Sequence, residues 1–329
     1  LGYQPHRVNT TSTWFEKLAE DPLPKTKEEA RQDVKFWPYY KAAVEAEDAQ
    51  QVSSKTHVKE KVVPGQPLQH PELPVIDSRY VFEKKRCDPS KPAGFYKGPV
   101  YYTDEQGGVW KFKARLVAKG FQQREGDYGN TYAGTPVLAS ILMLIALCVG
   151  LGWDLHVMDV RGAFLLPKLP DAEKLYMRPP PDGKLSAGWI YLLTRCIYGL
   201  KQSGARWREN VNKTMKKNGF VPTKTDPAVY VRYLADGTLD CMMAVHVDDF
   251  LIGADDSVMA EVKALLNKAY VMSDDGRVSW FLKIKFTWSP DRRSVWLSQP
   301  EYVDEIVEAA GLVDGKEELL LEGRTRRCA

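Results

Sequence analysis

The chain has 329 residues, 44% of them hydrophobic and 27% charged, so it is long and apolar enough to bury a sizeable core. Its net charge of +3 does not by itself indicate a nucleic-acid partner. The longest apolar run, residues 137–151, is too short for a membrane span of about 20 residues. The five scattered cysteines contain no CxxC pair, which excludes a zinc knuckle and predicts reduced thiols in a cytosolic or nuclear protein.

The first 72 residues are polar, rich in Lys and Glu, and interrupted by prolines. They predict a linker or loosely held arm, partly disordered, with one helix over residues 27–51 that Pro38 breaks or kinks. Neither a signal peptide nor an initial Met is present, which suggests a fragment of a longer chain. Short β-type runs follow between Leu73 and Phe121, with a hairpin turn signal at Gly107-Gly108. Residues 95–102 are predicted to form an extra loop.

From Thr135 onward the pattern alternates between helices and strands. Helices are predicted over residues 138–151, 203–218 and 257–269. Strands are predicted over residues 154–160, 189–193, 229–234 and 240–247, with a Pro-rich excursion at 167–181 and a strand-rich segment at 278–297. The last eighteen or so residues are predicted to be frayed.

Asp248 and Asp249 stand between two apolar runs, which predicts a β-hairpin whose tight turn consists of the two aspartates. On the pattern alone a plain surface turn is the favoured interpretation, because Asp tolerates turn geometry. A carboxylate pair at a rigid hairpin tip is also what Mg²⁺, with its preference for hard oxygen ligands, requires. Since neighbouring strand residues face opposite ways, we expect Asp248 to ligate directly and Asp249 to assist from beside it.

A second carboxylate, Asp159, closes the apolar strand at residues 154–160 and is followed by a Gly-containing turn. One interpretation of Asp159 is a helix N-cap. The other is that two strand-end aspartates form a paired-metal site for phosphoryl transfer. The order of the elements favours the second: strand and Asp159, Pro-rich loop, Gln-containing turn, basic helix, and then the Asp248-Asp249 hairpin.

Five segments carry a more specific signal: residues 113–121, 158–165, 197–202 with Trp207, 247–249, and 280–282. In this order they resemble the successive blocks of copia-type retrotransposon reverse transcriptases, over about residues 75–302. The resemblance implies an α+β right-hand polymerase, with fingers and an antiparallel palm sheet packed on helices over residues 73–302. Residues 303–329 would be a partial thumb and a frayed end, and residues 1–72 the arm.

The activity implied by the resemblance is RNA-directed DNA synthesis, in which two Mg²⁺ ions, or Mn²⁺ in their place, assist extension of a primer 3′-hydroxyl. The implied partners are an RNA template, a DNA primer and deoxynucleoside triphosphates. The natural neighbours would be integrase and ribonuclease H domains, which we expect to be absent from this chain. Cytoplasmic virus-like particles or the nucleus would be the compartment.

The resemblance also assigns roles to individual residues. Asp159, Asp248 and Asp249 match the metal-binding carboxylates, and Phe164 matches the steric gate against a ribose 2′-hydroxyl. Lys113 and Arg115 match the fingers strand that meets the triphosphate, although a solvated strand face is the alternative. Gln202 matches the residue near the nascent base pair or is a simple turn amide. The segment Trp280, Phe281, Leu282 matches the primer grip or is an ordinary core strand.

The helix after Gln202 has a basic surface, and such surfaces usually serve only solubility. Next to a phosphoryl-transfer site, Arg206, Arg208 and Lys213 are instead expected to contact the nucleic-acid backbone, with binding that weakens as salt rises. An RNA/DNA hybrid would be recognised by its shape, not by its base edges.

The chain departs from the family pattern at several places, among them Ala133-Gly134-Thr135-Pro136, which differs from the family's Ser-Pro. His246 replaces the usual Tyr, Lys283 stands where the family has Gly, and Asp274-Asp275-Gly276 replaces Asp-Leu-Gly. A side chain at a glycine position can shift a hairpin, so the primer grip is the part these changes affect. A decayed relative that binds nucleic acid without synthesis is therefore the main alternative. A metal-dependent nuclease is a further one, but it does not account for Phe164 or Gln202.

Overall fold

The computed structural model describes residues 23–87, 93–181 and 188–311, so the expectations for residues 1–22 and 312–329 lie outside the described residues. Within these ranges the helices are α1 Lys27–Gln32, α2 Trp37–Ser53, α3 Leu138–Leu151, α4 Ser203–Lys217, α5 Asp256–Ala269 and α6 Pro300–Ala309. The strands are β1 His57–Lys61, β2 Val75–Ile76, β3 Ser78–Arg86, β4 Tyr101–Thr103, β5 Val109–Ala118, β6 Asp154–Val160, β7 Tyr176–Met177, β8 Trp189–Leu193, β9 Val221–Pro222, β10 Val229–Tyr233, β11 Leu239–His246, β12 Asp249–Ala254, β13 Met272–Arg277, β14 Trp280–Phe281, β15 Ile284–Trp288 and β16 Val295–Ser298. The fold combines helices with mainly antiparallel sheets, in agreement with the predicted α+β class.

The chain divides into two compact units. The first unit comprises residues 1–133 and 164–207, and the second comprises residues 134–163 and 208–329. The described part of the first unit has two sheets, with strand orders β3-β5-β4 and β1-β8-β7-β2. The described part of the second unit has a six-stranded sheet, β13-β6-β12-β11-β10-β9, and a three-stranded sheet, β14-β15-β16.

The core of the first unit lies between helix α2 and the central strand β5. Along β5, Phe112, Ala114 and Leu116 are buried, while the residues between them are half-buried. This period of two is what a strand with one face on a helix requires. The ring of Tyr40 from α2 packs edge-on against Phe112, with 4.8 Å between centroids. The half-buried residues between them therefore lie on the other face of β5, which explains why that face is polar.

Residues 27–61 are more ordered than the linker that the composition predicts. Helix α1 ends at Gln32 and helix α2 begins at Trp37, so the predicted helix is interrupted just before Pro38. Pro38 occupies the first turn of α2, where its missing N–H costs nothing. After α2, strand β1 pairs antiparallel with β8 along five residues. The described part of the arm is thus integral to the first unit.

Residues 95–102, predicted as an extra loop, contain part of strand β4. Strand β4 pairs antiparallel with β5, and the hairpin between them turns at Gly107, whose φ of +79° favours glycine. The side chain of Asp104 accepts a hydrogen bond from the Gly108 amide at 2.7 Å and closes the turn. The turn was predicted correctly. Strand β4, which precedes it, was not predicted because it has only three residues.

The six-stranded sheet of the second unit is covered on both faces. Leu251 of β12 belongs to the core cluster formed with helix α3, whereas its neighbour Phe250 packs near Tyr270, which follows helix α5. Strands β11 and β12 are accordingly buried along most of their length. A hairpin between two such strands is held rigidly. Among the described residues, no helix is both long enough and apolar enough to cross a membrane.

Candidate active site

The hairpin between β11 and β12 carries the acidic pair. His246 and Asp249 are the last paired residues of the two strands, so the turn consists of Val247 and Asp248. The expectation that both aspartates form the turn is therefore wrong by one residue. Val247 has a φ of +58°, which is a strained value for a β-branched side chain. The buried strands on either side hold it in that conformation.

Asp159 lies at the end of β6, directly beside this hairpin. In the antiparallel pairing of β12 with β6, Asp249 is opposite Asp159. The amide of Val160 also donates to the carbonyl of Asp248 at 2.9 Å. Residues directly opposite each other across a ladder share one face of the sheet, with Cβ atoms about 4.5–5.5 Å apart. The alternative interpretation of Asp159 as a helix N-cap is wrong, since Asp159 belongs to the strand itself.

The backbone thus sets Asp159 opposite Asp249 with Asp248 in the adjoining turn, and all three residues are half-buried. The register makes Asp249 the cross-strand neighbour of Asp159, whereas Asp248 lies in the turn. On the other side of Asp159, Ser273 of β13 donates from its hydroxyl to Oδ2 at 3.3 Å. Sequence reasoning missed Ser273, and only its place just before Asp274-Asp275-Gly276 could have pointed to it.

The donor set at this strand end fits a divalent magnesium ion, because all of its oxygens are carboxylates. In the described part of the chain, however, no three Asp, Glu, His or Cys side chains already surround a common point for a metal ion. The ladder sets Asp159 opposite Asp249, whereas Asp248 lies in the adjoining turn. The residues therefore fit a metal ion in their type.

Lys113 and Arg115 lie on the open face of β5 in the first unit. The face also carries Lys111, and Lys85 lies opposite Lys111 on β3. Glu83 neutralises only part of this charge, since it accepts from Arg115 at 2.7 Å and pairs with Lys85 at 2.9 Å. Burial lowers the pKa of Lys113, and the neighbouring cations lower it further. Such a cluster of cations is suited to an anionic ligand.

Two of the five sequence blocks touch through their glycines. The amide of Ala118, at the end of β5, donates to the carbonyl of Tyr198 at 2.8 Å. A Cβ on Gly120 would lie 2.0 Å from the carbonyl oxygen of Gly199, and a Cβ on Gly199 would lie 2.2 Å from that of Ala118. Only glycine permits this approach of two backbones. The blocks at residues 113–121 and 197–202 therefore form one structural element.

Gln202 is fully buried at the start of helix α4. Its Oε1 accepts a hydrogen bond from Nε2 of Gln123 at 3.1 Å, whereas its own Nε2 has no hydrogen-bond partner. Gln123 in turn accepts from the amide of Lys201 at 2.9 Å. The amide pair fastens the turn before α4 to the end of β5. An unsatisfied buried donor is costly.

Phe164 follows Asp159 by five residues and belongs to the first unit. Its ring is half-buried and meets the ring of Tyr198 edge-on, with 5.8 Å between centroids and an interplanar angle of 89°. The guanidinium of Arg115 lies 5.8 Å from the same tyrosine ring. Tyr198, which sequence reasoning did not single out, thus links the predicted gate with the predicted triphosphate cations.

Not all of the cationic side chains of helix α4 are available to bind a ligand. Arg206 forms a two-pronged ion pair with Glu173, whose side chain is only 7% exposed. This guanidinium, predicted to contact the nucleic-acid backbone, therefore neutralises a buried carboxylate. Arg208 is half-buried and its Nη1 is enclosed. Lys213 is exposed, as a phosphate contact requires.

The segment predicted as a primer grip forms the hairpin of β14 and β15. Trp280 is 41% exposed and Phe281 only 3%, so the two residues face opposite sides. Leu282 and Lys283 form the turn, with φ values of +50° and +64°. Lys283 therefore occupies a left-handed position that favours the glycine usual in the family. Its ammonium group pairs with Glu305 of helix α6 at 2.5 Å.

Comparison with known proteins adds independent evidence. The family described as "Reverse transcriptase (RNA-dependent DNA polymerase)" matches residues 91–320. The retrovirus-related Pol polyprotein from the Nicotiana tabacum transposon TNT 1-94 is 31% identical over 211 residues, which is 63% of this chain and 16% of that protein. The Pol polyprotein from the Arabidopsis thaliana transposon RE2 is 27% identical over 314 residues, which is 94% of this chain and 19% of that protein.

A solved structure of a foamy viral protease-reverse transcriptase in complex with double-stranded DNA has a TM-score of 0.43 and 13% identity, and covers 82% of this chain and 36% of that one. A likeness this weak leaves the fold to be argued from the strand order and register given above. The chain spans less than a fifth of the two plant polyproteins. The match over residues 91–320 and the identity with transposon proteins are decisive: the chain belongs to the reverse transcriptase family, as a segment of a copia-type retrotransposon Pol polyprotein.

Proposed function

We propose that the chain is the catalytic portion of an RNA-directed DNA polymerase that extends a primer 3′-hydroxyl on an RNA template. The observation that carries the proposal is the pairing of Asp159 with Asp249, with Asp248 in the adjoining turn. In this proposal the first unit supplies the fingers and the second unit the palm. Helix α6, with no buried residue, is the start of a thumb.

Asp159, Asp248 and Asp249 would hold two Mg²⁺ ions, or Mn²⁺ in their place. When bound, such a pair lowers the pKa of the attacking hydroxyl and stabilises the leaving oxygen. Ser273 acts through Asp159, because its hydroxyl donates to Oδ2 and so fixes the carboxylate rotamer. The strained turn at Val247 places the Asp248 carboxylate at the tip of a rigid hairpin. Ligand positions that are fixed before binding reduce the cost of reorganisation.

The reaction joins the primer 3′-oxygen to the α-phosphorus of a deoxynucleoside triphosphate, and the bond to pyrophosphate breaks. Lys113 and Arg115 would bind the triphosphate, because their strand face has more cations than Glu83 can neutralise. A phosphate beside Lys113 would raise the pKa that burial lowers and keep the ammonium charged. Phe164 would crowd a ribose 2′-hydroxyl and thereby favour deoxynucleotides.

The remaining roles are supporting ones. Gln202 lies near the nascent base pair in this proposal, and its buried, unsatisfied Nε2 is the donor available for the nucleotide or for a water. The primer grip would use the exposed Trp280, whereas Phe281 supports it from the core. Lys213 and Arg208 would contact backbone phosphates of the template or primer. Integrase and ribonuclease H activities belong, by the same proposal, to other parts of a longer polyprotein.

Primer extension on an RNA template with Mg²⁺ or Mn²⁺ tests the proposal. Asp159→Asn and Asp248→Asn should each lower extension by at least about a hundredfold, since each removes a charged metal ligand. The matched control is Asp236→Asn, which alters an exposed aspartate in the turn of the neighbouring hairpin. The proposal fails if the wild-type chain extends no primer with either metal, or if Asp236→Asn is as inactive as Asp248→Asn.

One observation favours the alternative of a relative that binds nucleic acid without synthesis. Leu282 and Lys283 both adopt left-handed backbone conformations at the primer-grip turn, and Lys283 stands where the family has Gly. A displaced turn would misplace the primer end without affecting nucleic-acid binding. Binding of a primer–template duplex with no extension, restored by Lys283→Gly, would identify this state.

A further inference from the structure

Tyr198 contacts two side chains that the proposed function assigns to the nucleotide, and all three residues belong to the first unit. The ring of Phe164 meets the Tyr198 ring edge-on, with 5.8 Å between centroids and an interplanar angle of 89°. This geometry is favourable because the positive edge of one aromatic ring faces the negative face of the other. Both residues are half-buried, so each ring is partly open to solvent. The Tyr198 ring therefore supports the predicted gate from the side.

The hydroxyl end of Tyr198 contacts Arg115. The guanidinium carbon of Arg115 lies 5.8 Å from the centre of the Tyr198 ring, close to the outer limit of about 6 Å for a cation–π contact. Burial lowers the pKa of Arg115, whereas hydrogen bonds from its guanidinium to Glu83 and to the Tyr198 hydroxyl raise the pKa above its ordinary value. The hydrogen bond is therefore the main contact, and it leaves the tyrosine ring available to Phe164.

Tyr198 and Phe164 are each anchored through their neighbours in the chain. Leu165 and Ile197 are fully buried and belong to the same core cluster of the first unit. The carbonyl of Tyr198 also accepts a hydrogen bond from the amide of Ala118, at the end of strand β5. Because the backbone is held at these points, rotation of the side chains is what can move the two rings apart.

A steric gate discriminates between sugars only while its ring stays in place. A phenylalanine side chain changes rotamer readily unless its neighbours prevent the change. If the ring of Phe164 turned away, a ribose 2′-hydroxyl would have room to enter. The edge-on contact with Tyr198 stabilises one orientation of the gate ring and so opposes this rotation.

The partners of Arg115 differ in how they affect an anionic ligand. The carboxylate of Glu83 accepts from Arg115 at 2.7 Å and is negative, so it competes with a phosphate for the guanidinium. The Tyr198 hydroxyl is neutral and can hold the guanidinium without cancelling its charge. Tyr198 therefore keeps Arg115 in position while a phosphate replaces Glu83.

We propose that Tyr198 is a positioning residue with two separate roles: its ring keeps Phe164 in place as the sugar gate, and its hydroxyl keeps Arg115 in place for the triphosphate. The inference rests on the proposed function, because it takes Phe164 to face the sugar and Arg115 to bind the phosphates. It adds a residue that determines sugar selectivity without touching the nucleotide itself.

Single-nucleotide primer extension with each type of triphosphate separates the two roles. Tyr198→Leu should raise the ratio of ribonucleotide to deoxyribonucleotide kcat/KM by about 3- to 10-fold, which corresponds to the loss of one aromatic pair. Tyr198→Phe should leave the ratio within about twofold, because the ring is kept. It should instead raise KM for both types of triphosphate by roughly 2- to 10-fold, because the hydroxyl is lost. A merely structural role would lower kcat/KM for both types alike.

A double variant tests whether Tyr198 acts through Phe164. When Phe164 is already Ala, Tyr198→Leu should cause no further change in the ratio, because no gate ring is left to position. The control is Tyr233→Leu, which removes a tyrosine of strand β10 that is 54% exposed, and it should change neither the ratio nor KM. An unchanged ratio in Tyr198→Leu, an equal rise in Tyr198→Phe, or a further rise in the double variant would overturn the proposal.

Failure of this inference and failure of the proposed function give different results. If Phe164→Ala raises the ratio and Tyr198→Leu does not, the gate stands and only the positioning role is refuted. If the wild type extends no primer, the proposed function fails and this inference fails with it. Urea unfolding of the same chains tests the ring pair without catalysis, since additive losses of stability from the two substitutions would show that the rings do not interact.

Discussion

The carboxylate of Glu47, in the middle of helix α2, accepts a hydrogen bond from the backbone amide of Leu116 at 3.0 Å. Leu116 lies on β5, beyond the short strand β4, so its amide has no strand partner on that side. Nε2 of Gln51 donates to the same carboxylate oxygen at 2.7 Å. Helix α2 thus closes the open edge of the strand that carries Lys113 and Arg115.

Substitutions of Glu47 can distinguish its role as a hydrogen-bond acceptor from the effect of its charge. Burial raises the pKa of Glu47, although the hydrogen bonds from Gln51 and Leu116 oppose the shift. Its folded pKa lies above the unfolded value, so the stability it contributes is full below pH 4.5 and is lost as pH rises through the folded pKa. Glu47→Gln should therefore gain stability relative to the wild type between pH 5 and 7 in urea unfolding.

Glu47→Leu is the contrasting variant, because it leaves the Leu116 amide and the Gln51 side chain without an acceptor. It should lose about 1–3 kcal/mol at every pH. Equal stability of the leucine and glutamine variants at pH 7 would contradict the role assigned to Glu47.

Short sequence blocks were sufficient to predict several helices and strands of the second unit, whereas β9, β13 and α6 were not predicted. Helix α3 and strand β6 have the predicted bounds, because each combines an apolar pattern with a clear end signal. The Asp248-Asp249 hairpin was predicted because two buried strands leave few residues for the turn. The turn was predicted one residue too far along the chain, since Val247 adopts a conformation that β-branched residues avoid.

Contacts between distant residues were not predictable from local patterns. Glu47 looks like one more carboxylate on a polar helix, yet it is buried because of a strand 69 residues later. Arg206 looks like a surface cation, yet its partner Glu173 lies 33 residues earlier in the Pro-rich excursion. Periodicity reports which side of an element is apolar, but it does not report which polar side chain another element will cover.

The gate assignment predicts a change in sugar selectivity. Phe164→Ala should raise the ratio of ribonucleotide to deoxyribonucleotide kcat/KM by about tenfold or more, because the ring that excludes the 2′-hydroxyl is gone. Phe121→Ala serves as the control, since Phe121 is 79% exposed in the same unit. Single-nucleotide primer extension with each type of triphosphate gives the ratio. An unchanged ratio in Phe164→Ala would remove Phe164 from the nucleotide site.

The left-handed turn at Lys283 predicts a gain in stability from glycine. A non-glycine residue in this conformation costs about 1–2 kcal/mol. Lys283→Ala and Lys283→Gly both lose the ion pair with Glu305, so their difference reports the backbone alone. Lys283→Gly should be about 1 kcal/mol more stable than Lys283→Ala in urea unfolding. Equal stability would mean that the turn relaxes in solution and that Lys283 is not strained.

The basic helix α4 predicts opposite effects for two of its cations. Arg206→Ala should lower the free energy of unfolding by about 3 kcal/mol, because it leaves the buried Glu173 carboxylate unpaired. Lys213→Ala should leave stability within about 0.5 kcal/mol, since Lys213 is exposed. It should instead lower the slope of log K against log salt for an RNA/DNA hybrid by about 0.9, the value for one phosphate of a duplex. Urea unfolding and anisotropy titrations over a salt series measure the two effects, and a salt slope unchanged in Lys213→Ala would exclude this helix face from the nucleic-acid contact.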